Sequence, residues 1–107
     1  MSGSDPSVRR SAQPSGGPDE CAIRFTTVLG SPNPDVVEDL DEGEILDIEK
    51  IDDPIRGVIA VRYTGETCGA LTRDIALLRK CIDGGIEYEA EVQRLVGGSV
   101  TVEVRVR

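Results

Sequence analysis

The chain has 107 residues and a formal net charge of −8 at pH 7, with 20 acidic residues, 12 basic residues and no histidine. A chain of this length allows one domain, and the absence of histidine excludes catalytic triads that need an imidazole base. No apolar run approaches roughly 18 residues and no charged-then-apolar leader is present, so we expect a cytoplasmic protein without membrane contact.

The first twenty residues differ in composition from the rest of the chain. Residues 1–20 contain five Ser, three Gly and three Pro, and their apolar residues follow no period. Such a segment cannot bury enough apolar surface to offset the entropy lost on ordering. We therefore predict a disordered tail over residues 1–20 and one folded domain over residues 21–107.

The domain is predicted to begin with a strand over residues 21–29, where Ile23 and Phe25 are separated by a polar residue. Two prolines in the next few residues end this strand, because proline lacks an amide donor. Asp35 and Glu38 have the spacing of a capping box, so a single helical turn and an irregular loop are equal alternatives here.

A second strand is predicted over residues 44–51. Leu46 and Ile48 would face the core, while Asp47 and Glu49 would face water. The outer face of this strand therefore carries part of the acidic surplus of the chain.

The middle of the chain predicts two strands and a helix in close succession. Residues 57–64 are nearly all apolar or β-branched, which is typical of a central strand covered on both faces. Gly65 permits a turn into a short partner strand over residues 67–71. Thr72 is the predicted N-cap of a helix over residues 73–82.

One face of this helix is apolar, because Ile75, Leu78 and Ile82 recur at helical spacing. Gly84 is predicted to adopt the left-handed conformation that ends the helix. We expect the apolar face to close one end of the sheet.

The clearest pattern is the alternation near the C-terminus, where even-numbered residues are apolar and odd-numbered residues are polar over 86–93 and 100–107. It predicts two strands that each have one buried face. A two-residue turn at Gly97 and Gly98 would place the apolar faces on opposite sides of the sheet. We therefore predict a three-residue loop over residues 97–99, with a glycine bulge.

The predicted register joins apolar residues on one face of the hairpin and opposite charges on the other. Arg94 would share a face with Val92 and Val102 and keep its head in water. The predicted pairs are Val96 with Val100, Val92 with Val104, Ala90 with Val106, Glu91 with Arg105, and Glu89 with Arg107.

Together these elements predict a β-rich α+β fold. About six antiparallel strands would form a small barrel or a strongly curled sheet, capped by one α-helix.

The negative charge is concentrated in one stretch, with ten acidic residues and one basic residue from Pro34 to Asp53. Its field would repel a phosphate backbone and attract a protein partner with a basic surface. A solvated, solubilising surface is the alternative interpretation. Our leading hypothesis is a non-enzymatic interaction module whose candidate protein-binding residues are Asp35, Glu38, Asp39, Asp41, Glu42 and Glu44.

The sequence contains no recognisable motif for catalysis, a cofactor or a metal. Asp39, Asp41 and Glu44 could approach a divalent cation, but their spacing matches no standard calcium loop. We therefore expect no enzyme activity, no cofactor and no bound metal, and the sequence defines no oligomeric state. The cysteines are widely separated and lack histidine partners, which predicts small buried thiols in a reducing compartment at Cys21, Cys68 and Cys81.

The chain resembles the HIRAN domain family in the order of its elements over residues 23–106. The resemblance lies in a few short motifs: Asp53-Pro54, Val58-Ile59-Ala60-Val61, Gly65, Gly69-Ala70-Leu71 and Gly84-Gly85. The chain lacks the compact Asp-Pro-Asn-Ala pattern of the family. It has Ile55-Arg56-Gly57 after the proline instead.

This resemblance implies a small β-barrel with one helix, attached in many family members to helicases or repair proteins. Some members bind the 3′ end of single-stranded DNA, although the net charge of this chain disfavours nucleic acid. Base stacking needs an exposed aromatic ring beside basic residues. The candidate nucleic-acid-binding residues under this alternative are Arg62, Tyr63 and Arg73.

Overall fold

This computed structural model describes residues 20–107, which contain six antiparallel strands and the short helices Pro34–Val37 and Ile75–Asp83, with residues 20 and 21 also helical. The predicted tail lies outside the described residues, apart from residue 20. The sheet is strongly curled into a half-barrel, so the predicted β-rich α+β class is confirmed. In chain order the elements are β1 Arg24–Val28, α1 Pro34–Val37, β2 Ile45–Ile51, β3 Gly57–Val61, β4 Thr67–Ala70, α2 Ile75–Asp83, β5 Tyr88–Val96 and β6 Ser99–Val106.

The strands lie in the order β1-β6-β5-β2-β3-β4. The curl brings the two edge strands together at one point, where Gly30 and Ala70 exchange backbone hydrogen bonds of 2.8 and 2.9 Å. The backbones approach closely here, and a Cβ on Gly69 would lie 3.0 Å from the carbonyl oxygen of Gly30. The prediction that β3 is the central strand is wrong, because β3 is second from the edge and the sheet centre is formed by β5 and β2.

The core fills the concave side of the sheet, as the alternation of the strands requires. In β2, Leu46 and Ile48 are buried, whereas Glu49 faces the solvent and is exposed. Helix α2 covers this side through Leu78, which is fully buried, and packs on β2 and β3. No helix within residues 20–107 has the length and apolar character needed to span a bilayer.

The ends of α2 differ from the prediction. The N-cap is Asp74 rather than Thr72, and its backbone is left-handed with φ of 55°. At the other end Gly84 is right-handed, and the next residue, Gly85, takes the positive φ of 100°. The helix is therefore shifted by about two residues at its start and by one at its end, a normal error for cap positions.

Arg79 attaches α2 to the connection between β2 and β3. Its guanidinium donates to the carbonyl oxygens of Ile51 at 2.7 Å and Gly57 at 3.0 Å, and to the Asp52 carboxylate at 2.6 Å. The hydrogen bond from Arg79 lowers the pKa of Asp52. One cation therefore satisfies the carbonyls at the end of β2 and the start of β3 and pairs with a carboxylate of the connection between them.

The two strands of the hairpin keep their apolar faces on the same side of the sheet, as predicted, but the turn is different. The turn has two residues, because Val96 pairs with Ser99 across Gly97 and Gly98, which have φ values of 58° and 85°. Two consecutive positive φ values suit a two-residue hairpin turn and favour glycine at both positions. The predicted three-residue loop is therefore wrong.

A bulge at Gln93, where the register shifts by one residue, keeps the two apolar faces on the same side of the sheet. The bulge moves Arg94 to the outer face, opposite Thr101, so its predicted place beside Val92 is wrong. Ala90 pairs with Val104 rather than Val106, yet even-numbered residues of both strands away from the turn and the open end are still buried: Tyr88, Ala90, Val92, Val100, Val102 and Val104.

Two of the three cysteines are not free thiols. Cys21 and Cys81 form a disulfide, which joins the N-terminal end of the described chain to α2. Tyr88 also binds this end, because its buried hydroxyl donates to the carbonyl oxygen of Cys21. The prediction of free thiols is wrong for this pair and confirmed for Cys68. A disulfide is typical of oxidising compartments, which removes the argument for a reducing one.

Candidate functional site

The acidic segment, residues 35–42, comprises α1 and the loop that follows it. Asn33, not Asp35, is the N-cap of α1, and its side chain accepts a hydrogen bond of 3.2 Å from the Asp35 amide. Of the two alternatives for this region, the helical turn is therefore correct. Val36, Val37 and Leu40 are buried in the core, so the segment is anchored to the domain through its apolar side chains.

The carboxylates of this segment point away from that anchor. They are exposed, and none forms an ion pair with any residue in the range 20–107. Among residues 20–107, Glu42 is the only member of this set whose carboxylate accepts a hydrogen bond from outside the segment, from the amide of Leu95 at 3.2 Å. The unpaired carboxylates of the segment belong to Asp35, Glu38, Asp39, Asp41 and Glu42.

Most other carboxylates of the described chain have a cationic partner. On the outer face of the hairpin, Arg105 donates to Glu89 at 2.9 Å, to Glu91 at 2.8 Å and to Glu103 at 3.0 Å. The hydrogen bonds to Glu91, Glu89 and Glu103, in that order, raise the pKa of Arg105. The charge excess available to a partner is therefore more localised than the sequence indicates.

Glu44 stands apart from the five unpaired carboxylates. Its carboxylate accepts from Arg62 Nε at 2.8 Å, and both side chains are largely buried, with 14% and 11% of their surfaces exposed. The hydrogen bond to Glu44 raises the pKa of Arg62. The sequence assigned these two residues to rival sites, and no local pattern could have joined them because they are 18 residues apart, one just before β2 and the other just after β3.

The three candidate nucleic-acid-binding residues are not brought together. Tyr63 is 80% exposed and the Arg62 guanidinium lies 5.4 Å from its ring centre. Arg73 follows the other end of β4, where it donates to the carbonyl of Thr26 at 3.3 Å and lies 5.0 Å from the ring centre of Phe25. Arg62 and Tyr63 thus form one small surface, and Arg73 belongs to the seam between β1 and β4.

The Cys68 thiol and the carboxylates are the side chains that bear on nucleophilic chemistry or metal binding. Burial raises the pKa of the Cys68 thiol to about 11, so this thiol is protonated near neutral pH and is a poor nucleophile. No group of three or more carboxylates or thiols within the described residues is arranged to hold a metal ion, and Asp39, Asp41 and Glu44 are no exception.

Comparison of the chain with protein-family models, with curated proteins and with solved structures yields no match. The resemblance to the HIRAN family therefore stays a prediction. The fold thus presents an anchored acidic segment on a curled antiparallel sheet, next to a partly buried ion pair and an exposed tyrosine.

Proposed function

We propose that this protein is a non-enzymatic interaction module that binds a basic protein partner through the acidic segment. The observation that carries the proposal is the set of five exposed carboxylates without an ion pair in the described chain, on a backbone held by three buried apolar side chains. Because the backbone is already ordered, binding would cost little conformational entropy. The negative field would speed association with a basic surface and weaken as salt is added.

The test compares two variants of equal net charge. Glu38→Gln combined with Asp39→Asn should weaken binding of a capped peptide of alternating lysine and serine by about five- to tenfold, because exposed charges at an interface each contribute modestly. Asp53→Asn combined with Asp74→Asn removes two exposed charges outside the segment that form no ion pair within residues 20–107, and it should change affinity less than about twofold. Isothermal titration calorimetry at low salt measures both. Equal losses in the two variants would mean that only net charge matters, and the proposal would be rejected.

A second candidate function is binding of single-stranded DNA ends in DNA repair or processing, as in the HIRAN family. The observation that favours it is the exposed ring of Tyr63 with a guanidinium beside it, an arrangement on which a base can stack. The net charge of −8 opposes it, because most of the surface repels phosphates.

Tyr63→Ala should weaken retention of a short single-stranded oligonucleotide by about fivefold or more, since stacking on one aromatic ring contributes roughly 1 to 3 kcal/mol. Tyr63→Phe keeps the ring and should retain binding. Tyr63 is a better target than Arg62, whose removal would also leave Glu44 without its partner. Fluorescence anisotropy at low salt gives the affinities, and the absence of any binding by the unaltered protein would eliminate this function.

A further inference from the structure

A groove lies beside β2 where its pairing with β5 ends. Pairing between β2 and β5 ends at Asp47 and Glu89, although β2 continues to Ile51 in its pairing with β3. The chain enters β5 from the end of α2 through Gly85, whose φ is 100°. Because β5 begins only at Tyr88, the rest of β2 has no strand partner on this side, and the space between it and the C-terminal end of the helix is a groove of about 360 Å³.

The groove is apolar along its floor and acidic at its rim. The floor includes Ile82 and Ile86, which are half-buried against the core. The rim includes Asp47, Glu49 and Glu87, of which Glu49 forms no ion pair within the described range. An apolar floor beside several carboxylates suits a ligand with a hydrocarbon stem and a cationic head.

The groove already contacts such a group from its own chain. The guanidinium of Arg107 pairs with Asp47 and lies 4.0 Å from Glu87 and 3.8 Å from Glu89. The backbone amide of Arg107 donates to the carbonyl of Glu87 at 2.9 Å, which places the side chain at the rim. The Arg107 side chain is 43% exposed, so these contacts are solvent-screened and can exchange with those of another cation.

We infer that this groove binds an arginine side chain from a basic segment of another protein, in competition with the guanidinium of Arg107. The methylene stem would lie on Ile82 and Ile86, and the planar guanidinium would face carboxylates from two directions, as its forked donors require. Lysine offers a point charge without this fork and should bind less well. The groove shares no residue with the acidic segment, so the two surfaces can be tested separately.

The first test uses two capped tripeptides, Gly-Arg-Gly and its citrulline counterpart, which has nearly the same shape without the charge. Arg107→Ala should bind the arginine peptide about two to five times more tightly than the unaltered protein, because the competing guanidinium is gone. The citrulline peptide should not bind. Chemical-shift titration by NMR reports both affinity and place, and the amide of Gly85 and the methyl groups of Ile82 and Ile86 should shift.

The second test removes the rim charges in the Arg107→Ala background. Asp47→Asn combined with Glu49→Gln should weaken the arginine peptide by about five- to tenfold. Glu38→Gln combined with Asp39→Asn, on the acidic segment, should leave its affinity unchanged, so failure of the proposed function would not be mistaken for failure of this site. Equal binding of the arginine and citrulline peptides, or shifts confined to residues outside the groove, would overturn the inference.

Discussion

Replacing Cys21 and Cys81 together with alanine is expected to lower the free energy of unfolding by about 2 to 5 kcal/mol. The disulfide joins residues that are 60 positions apart, so it restricts more than half of the unfolded domain. Its loss increases the conformational entropy of the unfolded chain. Both residues are also buried, with 7% and 2% of their surfaces exposed, so their replacement removes packing contacts as well. Urea titration measures the change.

Reduction provides the control for this experiment. A dithiol reductant should destabilise the unaltered protein to nearly the level of the double variant and should leave the double variant unchanged. The double variant keeps the hydrogen bond from Tyr88 to the backbone carbonyl of residue 21 but loses the covalent link to α2, so amide exchange near this residue should increase. Titration of three free thiols in the untreated, unfolded protein would contradict the bond itself.

Leu78→Ala is expected to cost about 2 to 5 kcal/mol of stability, because it leaves a cavity where a fully buried side chain joined α2 to the sheet. The adjacent Leu77 offers a matched control, since it lies on the same helix but is only partly buried. Leu77→Ala makes the same chemical change at nearly the same helix propensity and should cost clearly less. Denaturant titrations of both variants give the comparison. A loss below about 1 kcal/mol for Leu78→Ala would show that this face of α2 does not support the core.

Elements with strong local patterns could be predicted from the sequence. The alternation over β5 and β6 identified their buried faces, because successive side chains of a strand point to opposite sides. The apolar face of α2 was equally clear, and Leu78 is buried as its spacing indicates. These patterns reflect how a strand or helix must present its apolar side chains to a core, wherever that core lies.

Features that depend on competing local choices were predicted less well. One extra residue was needed to keep the apolar faces of the two hairpin strands on the same side of the sheet. The sequence did not show whether the turn or the strand would contain it. The structure contains it at Gln93, and Gly97 and Gly98 form a two-residue turn. The cap at Asp74 was missed because its side chain makes no capping hydrogen bond, so the start of the helix follows the path of the chain after β4 and not the side-chain preference that favoured Thr72.

The class of the fold, the buried faces of its main elements and the concentration of negative charge between residues 34 and 53 follow from local patterns of residues. Which of these charges remain available depends on contacts between residues that are distant in the sequence. Glu44 is paired with Arg62, whereas Asp39 and its neighbours in the acidic segment have no cationic partner in the described chain. The disulfide between Cys21 and Cys81 was also decided at this level. The physical reason is common to both, because ion pairs and disulfides join residues that are close in space, and that closeness arises from the pairing and packing of elements far apart in the sequence.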